Sequence, residues 1–188
     1  LAKPGLLSPG MYYQLGGLYA QQQQAFRDLS LVMLAAIALV FTLLLFLYES
    51  FRMALSIMVV PLLALSAVFI GLWLTGIELN ISAMMGMTMI VGIVTELAIF
   101  YFSEMTDAVQ RMPLHQAMRH AGHHRMRPIL MSTIAAILTL LPLALAIGHG
   151  SQMQQPLAVT IIAGMLVQVP LVLLVMPALY AWLMKKKI

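Results

Sequence analysis

"MIVGIVTELAIFYFSE", residues 89–104, decides how the chain is read. Met89–Thr95 and Leu97–Ser103 are uncharged and mostly apolar, and Glu96 stands between them. In water such a stretch would be an ordinary core helix. The rest of the chain argues for a different solvent. Of 188 residues, 62% are hydrophobic and 9% charged, whereas a soluble domain is about half apolar and about a quarter charged. A lipid surrounding accounts for that composition and a soluble core does not.

Spanning the hydrocarbon takes about 20 mostly apolar residues. Working outward from residues 81–103, four further stretches qualify: 29–48, 53–77, 128–147 and 156–184. Each must be helical, because backbone polar groups find no water in hydrocarbon. Pro61, Pro142 and Pro170 fall inside these spans. Each removes a backbone hydrogen bond and predicts a kink. Between the third and fourth spans, Pro113 suits a helix start. Leu114, Ala117, Met118 and Ala121 then recur with helical spacing, which predicts a short amphipathic helix over about 113–124 lying on the membrane surface. Arg119, Arg125 and Arg127 would face anionic headgroups there. The expected fold is an all-α membrane protein: five transmembrane helices plus a short cytoplasmic interfacial helix. Residues 1–27 form a separate lead-in. They carry turn signals at Pro4-Gly5 and Pro9-Gly10 and then the polar run "LYAQQQQAFRDLS". Residues 28–188 form the transmembrane domain.

Charge orients the bundle. With five spans, one side holds Lys3 and Arg27. The other holds Arg52, Arg111, Arg119, Arg125, Arg127, Lys185, Lys186 and Lys187. This split of two against eight predicts a cytoplasmic C-terminus and an exported N-terminus. The stretch beginning at Leu1 has no basic region followed by an apolar run, so it is not a signal peptide. An exported start and an odd span count both suggest the C-terminal part of a larger membrane protein.

The chemistry-bearing residues are few. A charge at mid-span costs roughly 2.5–3.5 kcal/mol on insertion scales. Glu96 therefore needs a cation partner, a polar cavity or a proton. It could serve as a switchable acid, or as a neutral, hydrogen-bonded side chain that pins two helices. Thr95 lies beside it, and Gly86 and Gly92 would admit a neighbouring helix closely. On the fourth span, Ser132, Thr133 and Thr139 can bond their own helix one turn back. Arg125 and Arg127 suit positive-side anchors. Met84, Met85, Met87 and Met89 carry soft thioethers that suit Cu(I), with Met85 and Met89 on one helical face, though methionine is also ordinary apolar filler. His120 and His124 have a metal-ligand spacing without a third ligand in line. "GHGS", residues 148–151, is a tight turn without the lysine and strand context of a phosphate loop. There is no cysteine, no nucleophile–base pair and no cofactor motif. Enzymatic and nucleic-acid-binding functions have no support.

Four stretches together resemble the second half of the resistance-nodulation-division (RND) efflux pumps: "LVFTLLLFLYESFRMALSIMVVPLLALSAV", "RMRPILMSTIAAILTLLPLAL", "GSQMQQPLAVTIIAGMLVQVP" and the closing "PALY". The similarity runs from about Ser8 to the C-terminus. It implies spans eight to twelve of a twelve-span transporter of the bacterial inner membrane, with the tail of a periplasmic domain at residues 1–27. It also implies a homotrimer that exchanges protons for substrate. The remaining half of the transporter, a periplasmic adaptor, an outer-membrane channel and membrane lipids would be its partners. Under the resemblance Glu96 takes a span-ten position where drug exporters commonly carry lysine and heavy-metal exporters an acid. Ser132 takes the place of a relay threonine and Arg125 that of a relay arginine. The implied relay is Glu96, Thr95, Ser132 and Arg125, with Met85 and Met89 as candidate metal ligands. A non-transporting module with an assembly role is the alternative.

Overall fold

The computed structural model describes residues 18–148 and 150–185. The reading of the first residues as a periplasmic tail lies outside them. The chain folds into α1 (Leu18–Tyr48), α2 (Phe51–Thr75), α3 (Ile81–Val109), α4 (Leu114–Ala144), α5 (Gln155–Pro170) and α6 (Met176–Lys185), with no strand among the described residues. Five helices are long and apolar enough to cross a membrane, because Gln155–Trp182 counts as one through the joint between α5 and α6. This is the expected all-α bundle.

Small residues set its centre. Lipid tails are as apolar as leucine, so helices in a membrane associate by close packing and hydrogen bonds rather than by escape from water. Gly86 of α3 lies against Thr160 and the Leu157 carbonyl of α5; a Cβ there would sit 2.8 Å from Thr160 Cγ2 and 3.2 Å from that carbonyl. One turn on, Gly164 of α5 lies under Ile90, whose side-chain carbons would come within 2.7–2.8 Å of an added Cβ. The two helices run parallel in this register. Gly92, expected to serve the same end, faces open space.

One end of the bundle is closed by aromatic rings. Phe102 stacks edge-on against Tyr180 at 5.2 Å and Tyr101 at 6.2 Å, and lies tilted 6.2 Å from Tyr48. The Tyr48 hydroxyl donates to the Ile99 carbonyl, and that of Tyr101 to the Met118 carbonyl. At the other end Asn80 caps α3 by accepting from the Ala83 N–H at 2.9 Å. There Ser82 also donates to the Met153 carbonyl at 3.1 Å. Outward faces stay apolar, with Phe46, Trp73 and Leu39 largely exposed, as expected where lipid is the solvent.

One expectation changes. The separate interfacial helix is absent: residues 114–144 form one continuous 31-residue helix. α3 extends to Val109, far enough for the start of α4 to pack beside it. Ala117 and Ala121 are therefore buried in the same core as Met105 and Ala108. The apolar stripe is real, but its partner is protein rather than the membrane surface. Pro61 and Pro142 interrupt neither of their helices. The irregularity follows Pro170, where Leu171–Val175 forms a π-helical turn and the Met176 N–H reaches back to the Leu171 carbonyl. A proline supplies no amide hydrogen, and a wider turn is one way to re-pair the freed carbonyls.

The α3–α5 seam predicts an asymmetry between glycines. Gly164→Ala forces Ile90 to move and costs about 1–3 kcal/mol as overpacking. Gly92→Ala is neutral or stabilises by up to about 1 kcal/mol, because alanine favours the helix. Thermal unfolding of the detergent-solubilised chain checks this; equal shifts for the two variants would contradict the seam.

Candidate functional site

α3, α4 and α5 enclose a groove of about 430 Å³. α3 contributes Ile93, Glu96, Leu97 and Phe100; α4 contributes Arg125, Pro128, Ile129, Ser132 and Ala136; α5 contributes Met165 and Gln168. Most of these are apolar. Glu96, Arg125, Ser132 and Gln168 are the polar exceptions. Three of the four expected relay residues thus open on one space.

The register explains why. α3 and α4 are antiparallel, and Arg125 Nη2 donates to Glu104 Oε2 at 2.9 Å. Eight residues back along α3 from Glu104 is Glu96; eight forward along α4 from Arg125 is Thr133, next to Ser132. Thr133 meets α5, accepting a hydrogen bond at 2.9 Å from Gln168 Nε2. Glu96 is near the middle of α3, with about 22 Å of helix on one side and about 20 Å on the other at 1.5 Å rise per residue. Its side of the helix is exposed, as are Met85, Met89 and Gly92 on the same face.

Thr95 does not join this group. It is buried on another face of α3 and donates to the Val91 carbonyl at 2.6 Å. Neighbouring helical residues point about 100° apart, so sequence adjacency to Glu96 does not bring the hydroxyl into the groove. Ser132 keeps a local bond to the Ile129 carbonyl at 3.1 Å. Thr139 bonds the Ala135 carbonyl, the expected turn-back.

Arg125 departs from a simple headgroup anchor. Besides pairing with Glu104, its guanidinium lies 5.7 Å from the centre of the Phe100 ring, a cation–π distance. His124 Nδ1 is 3.3 Å from the other Glu104 oxygen. His120 and His124 stack at 5.8 Å, and no cluster of three His, Cys, Asp or Glu suited to a metal occurs among the described residues. Met85 and Met89 are half exposed, whereas Met84 and Met87 are buried as core filler.

Two contributors were not foreseen. Gln168 is 1% exposed. Its Oε1 is buried without a hydrogen-bond partner among the described residues. It is a carboxamide in an apolar run, the same kind of signal that marked Glu96. Glu104 lies at the end of the opening stretch, and only the fold reveals its partner. Arg125 Nε is likewise buried and unpartnered. The groove therefore has Arg125, paired to Glu104, at its basic end; further along it come the exposed Glu96, the Ser132 hydroxyl and the buried Gln168 amide, whose oxygen has spare hydrogen-bonding capacity. Such a set can hold a proton or a small cation.

Known proteins resemble the chain as a whole. A family model described as the AcrB/AcrD/AcrF family matches residues 3–184. The cobalt-zinc-cadmium resistance protein CzcA of Cupriavidus metallidurans is 32% identical over 91% of the chain, which spans 16% of that protein. The swarming motility protein SwrC of Bacillus subtilis is 35% identical over 90% of the chain and 16% of its own length. A crystal structure of a heavy metal efflux pump superposes with a TM-score of 0.78 at 30% identity, covering 93% of this chain and 18% of the pump. The chain spans less than a fifth of the length of each. It belongs to the AcrB/AcrD/AcrF family of RND efflux transporters, with its likeness on the heavy-metal branch.

Proposed function

We propose that this chain supplies second-half helices of the proton pathway in a proton-driven efflux pump of the bacterial inner membrane. Glu96 is the group that gains and loses a proton, or trades ion partners, as the helices rearrange. Ser132 and Arg125 assist, with Gln168 added to the set and Thr95 confined to shaping α3. The observation that carries this reading is the shared groove: Glu96, Ser132 and Gln168 open on one space whose basic end is closed by Glu104 and Arg125. The basic end is taken as cytoplasmic and the N-terminus as periplasmic, following the arginine split. The remaining half of the transporter completes the site in a homotrimer working with an adaptor and an outer-membrane channel. The substrate is a metal ion or a drug: CzcA and CnrA are named for metal resistance and the MdtC relatives for multidrug resistance, and the acid at position 96 leans toward the metal.

In a complete transporter carrying this chain, Glu96→Gln and Glu96→Lys lower transport by about 100-fold or more, the scale of a lost proton-transfer group. Proton-gradient-driven efflux from everted vesicles measures this; full transport in both variants removes Glu96 from the mechanism.

A second reading concerns the substrate. Met85 and Met89 sit one turn apart on the face that carries Glu96, which suits a pair of thioethers passing a soft ion along the helix. Under it, the double variant Met85→Ile, Met89→Ile sensitises cells to silver or copper while transport of other substrates holds. Unchanged tolerance rejects the thioether pair. The alternative of a non-transporting assembly module is separated by reconstituting the 188-residue chain alone: we expect no efflux from such vesicles, and measurable efflux would show that these helices suffice.

A further inference from the structure

A second cleft lies across α4 from the first and has a different chemistry. It encloses about 690 Å³, within the roughly 300–1,000 Å³ of typical ligand clefts. One wall is α4, with His115, Met118, Arg119, Gly122, His123 and Met126; the other is the joint between α5 and α6, with Leu173, Leu174, Pro177, Ala178 and Ala181. Tyr101 forms part of the floor, its hydroxyl already given to the Met118 carbonyl.

The cleft is divided by polarity. The α5–α6 wall is wholly apolar, and Leu174 is 68% exposed on it. The α4 wall carries one arginine and two histidines and no acid. Arg119 is exposed and has no ion-pair partner among the described residues, in contrast to Arg125, which Glu104 neutralises. Gly122, midway along the α4 wall, has nothing within 4 Å of where a Cβ would stand. The cleft sits where α4 passes from its basic first half to the apolar run after Pro128, at the arginine-bearing end of the bundle.

We propose that this cleft holds one anionic phospholipid, with its phosphate on Arg119 between His115 and His123 and an acyl chain along Leu173, Leu174 and Ala178. Three features select that occupant. The apolar wall belongs to a span long and apolar enough to cross a membrane, Gln155–Trp182, so an acyl chain matches its chemistry. A guanidinium without a partner recognises phosphate through paired N–H donors. The ammonium of a zwitterionic lipid finds no carboxylate in the lining, so a headgroup with net negative charge is favoured over one without. The inference goes beyond the coupling role of Glu96 and does not depend on it.

Native mass spectrometry of the full chain in detergent tests it, titrated with dioleoyl phosphatidylglycerol or dioleoyl phosphatidylcholine. We expect phosphatidylglycerol occupancy to exceed that of phosphatidylcholine by roughly fivefold or more, about the gain from one basic side chain near an anionic headgroup. Arg119→Gln removes that excess. Gly122→Phe fills the cleft and removes it independently, with the melting temperature unchanged because the new ring enters open space. Equal binding of the two lipids overturns the proposal, leaving an ordinary lipid annulus or a protein segment in the cleft. So does a phosphatidylglycerol preference that survives both substitutions. Soluble glycerol phosphate binding as tightly as the lipid would also overturn it, since the apolar wall would then be idle.

Discussion

The seam between α3 and α5 is the contact on which the other arrangements depend. Gly86 against Thr160 and Ile90 against Gly164 lock two parallel helices at van der Waals distance. In hydrocarbon that close fit is the main source of association. A one-turn slip loses that fit: in one direction Gly86 and Gly164 would face each other across a void, and in the other Ile90 would meet Thr160 instead of a glycine. With that register set, Gln168 of α5 comes level with the middle of α3, and the face bearing Glu96 opens beside it. α4 is then aligned from two sides, by Glu104–Arg125 to α3 and by Gln168–Thr133 to α5. The groove is a consequence of these two registers and needs no further device.

The five spans were legible because hydrophobic length has one meaning when charges are this scarce. The start of α4 was harder. Leu114, Ala117, Met118 and Ala121 mark one apolar face, and periodicity gives the face but not what covers it. A membrane surface and the extended end of α3 ask the same pattern of a helix. Close approach shows the same limit: Gly86 and Gly92 are equivalent in sequence, yet only Gly86 meets a neighbour. In the groove, Glu96 stood out because charge in hydrocarbon is costly. Gln168 carries a similar, smaller cost and was passed over because it is uncharged. Thr95 was drawn in by adjacency, which a helix turns into separation. Glu104 and Arg125 are 21 residues apart across a turn, and no helical period encodes such a pair.

α4 differs in kind from the helices it touches. α3 and α5 meet through glycines and branched side chains, whose fit is lost by any displacement. Towards the groove, α4 is held by a partly exposed ion pair and a hydrogen bond between two side chains. Ion pairs and hydrogen bonds exchange partners at modest cost, whereas close-packed seams do not. Both of these links border the space into which Glu96 projects, and two of the polar atoms there, Arg125 Nε and Gln168 Oε1, have hydrogen-bonding capacity to spare. Glu96 lines the same groove as Arg125 and Gln168, so under the proposed role its charge is set beside the attachments of α4 rather than at the α3–α5 seam. Because α4 also forms a wall of the second cleft, a displacement that widens one groove alters the other. The bundle thus joins a close-packed α3–α5 pair to a helix held on its groove side by polar contacts, and Glu96 lines the groove between them.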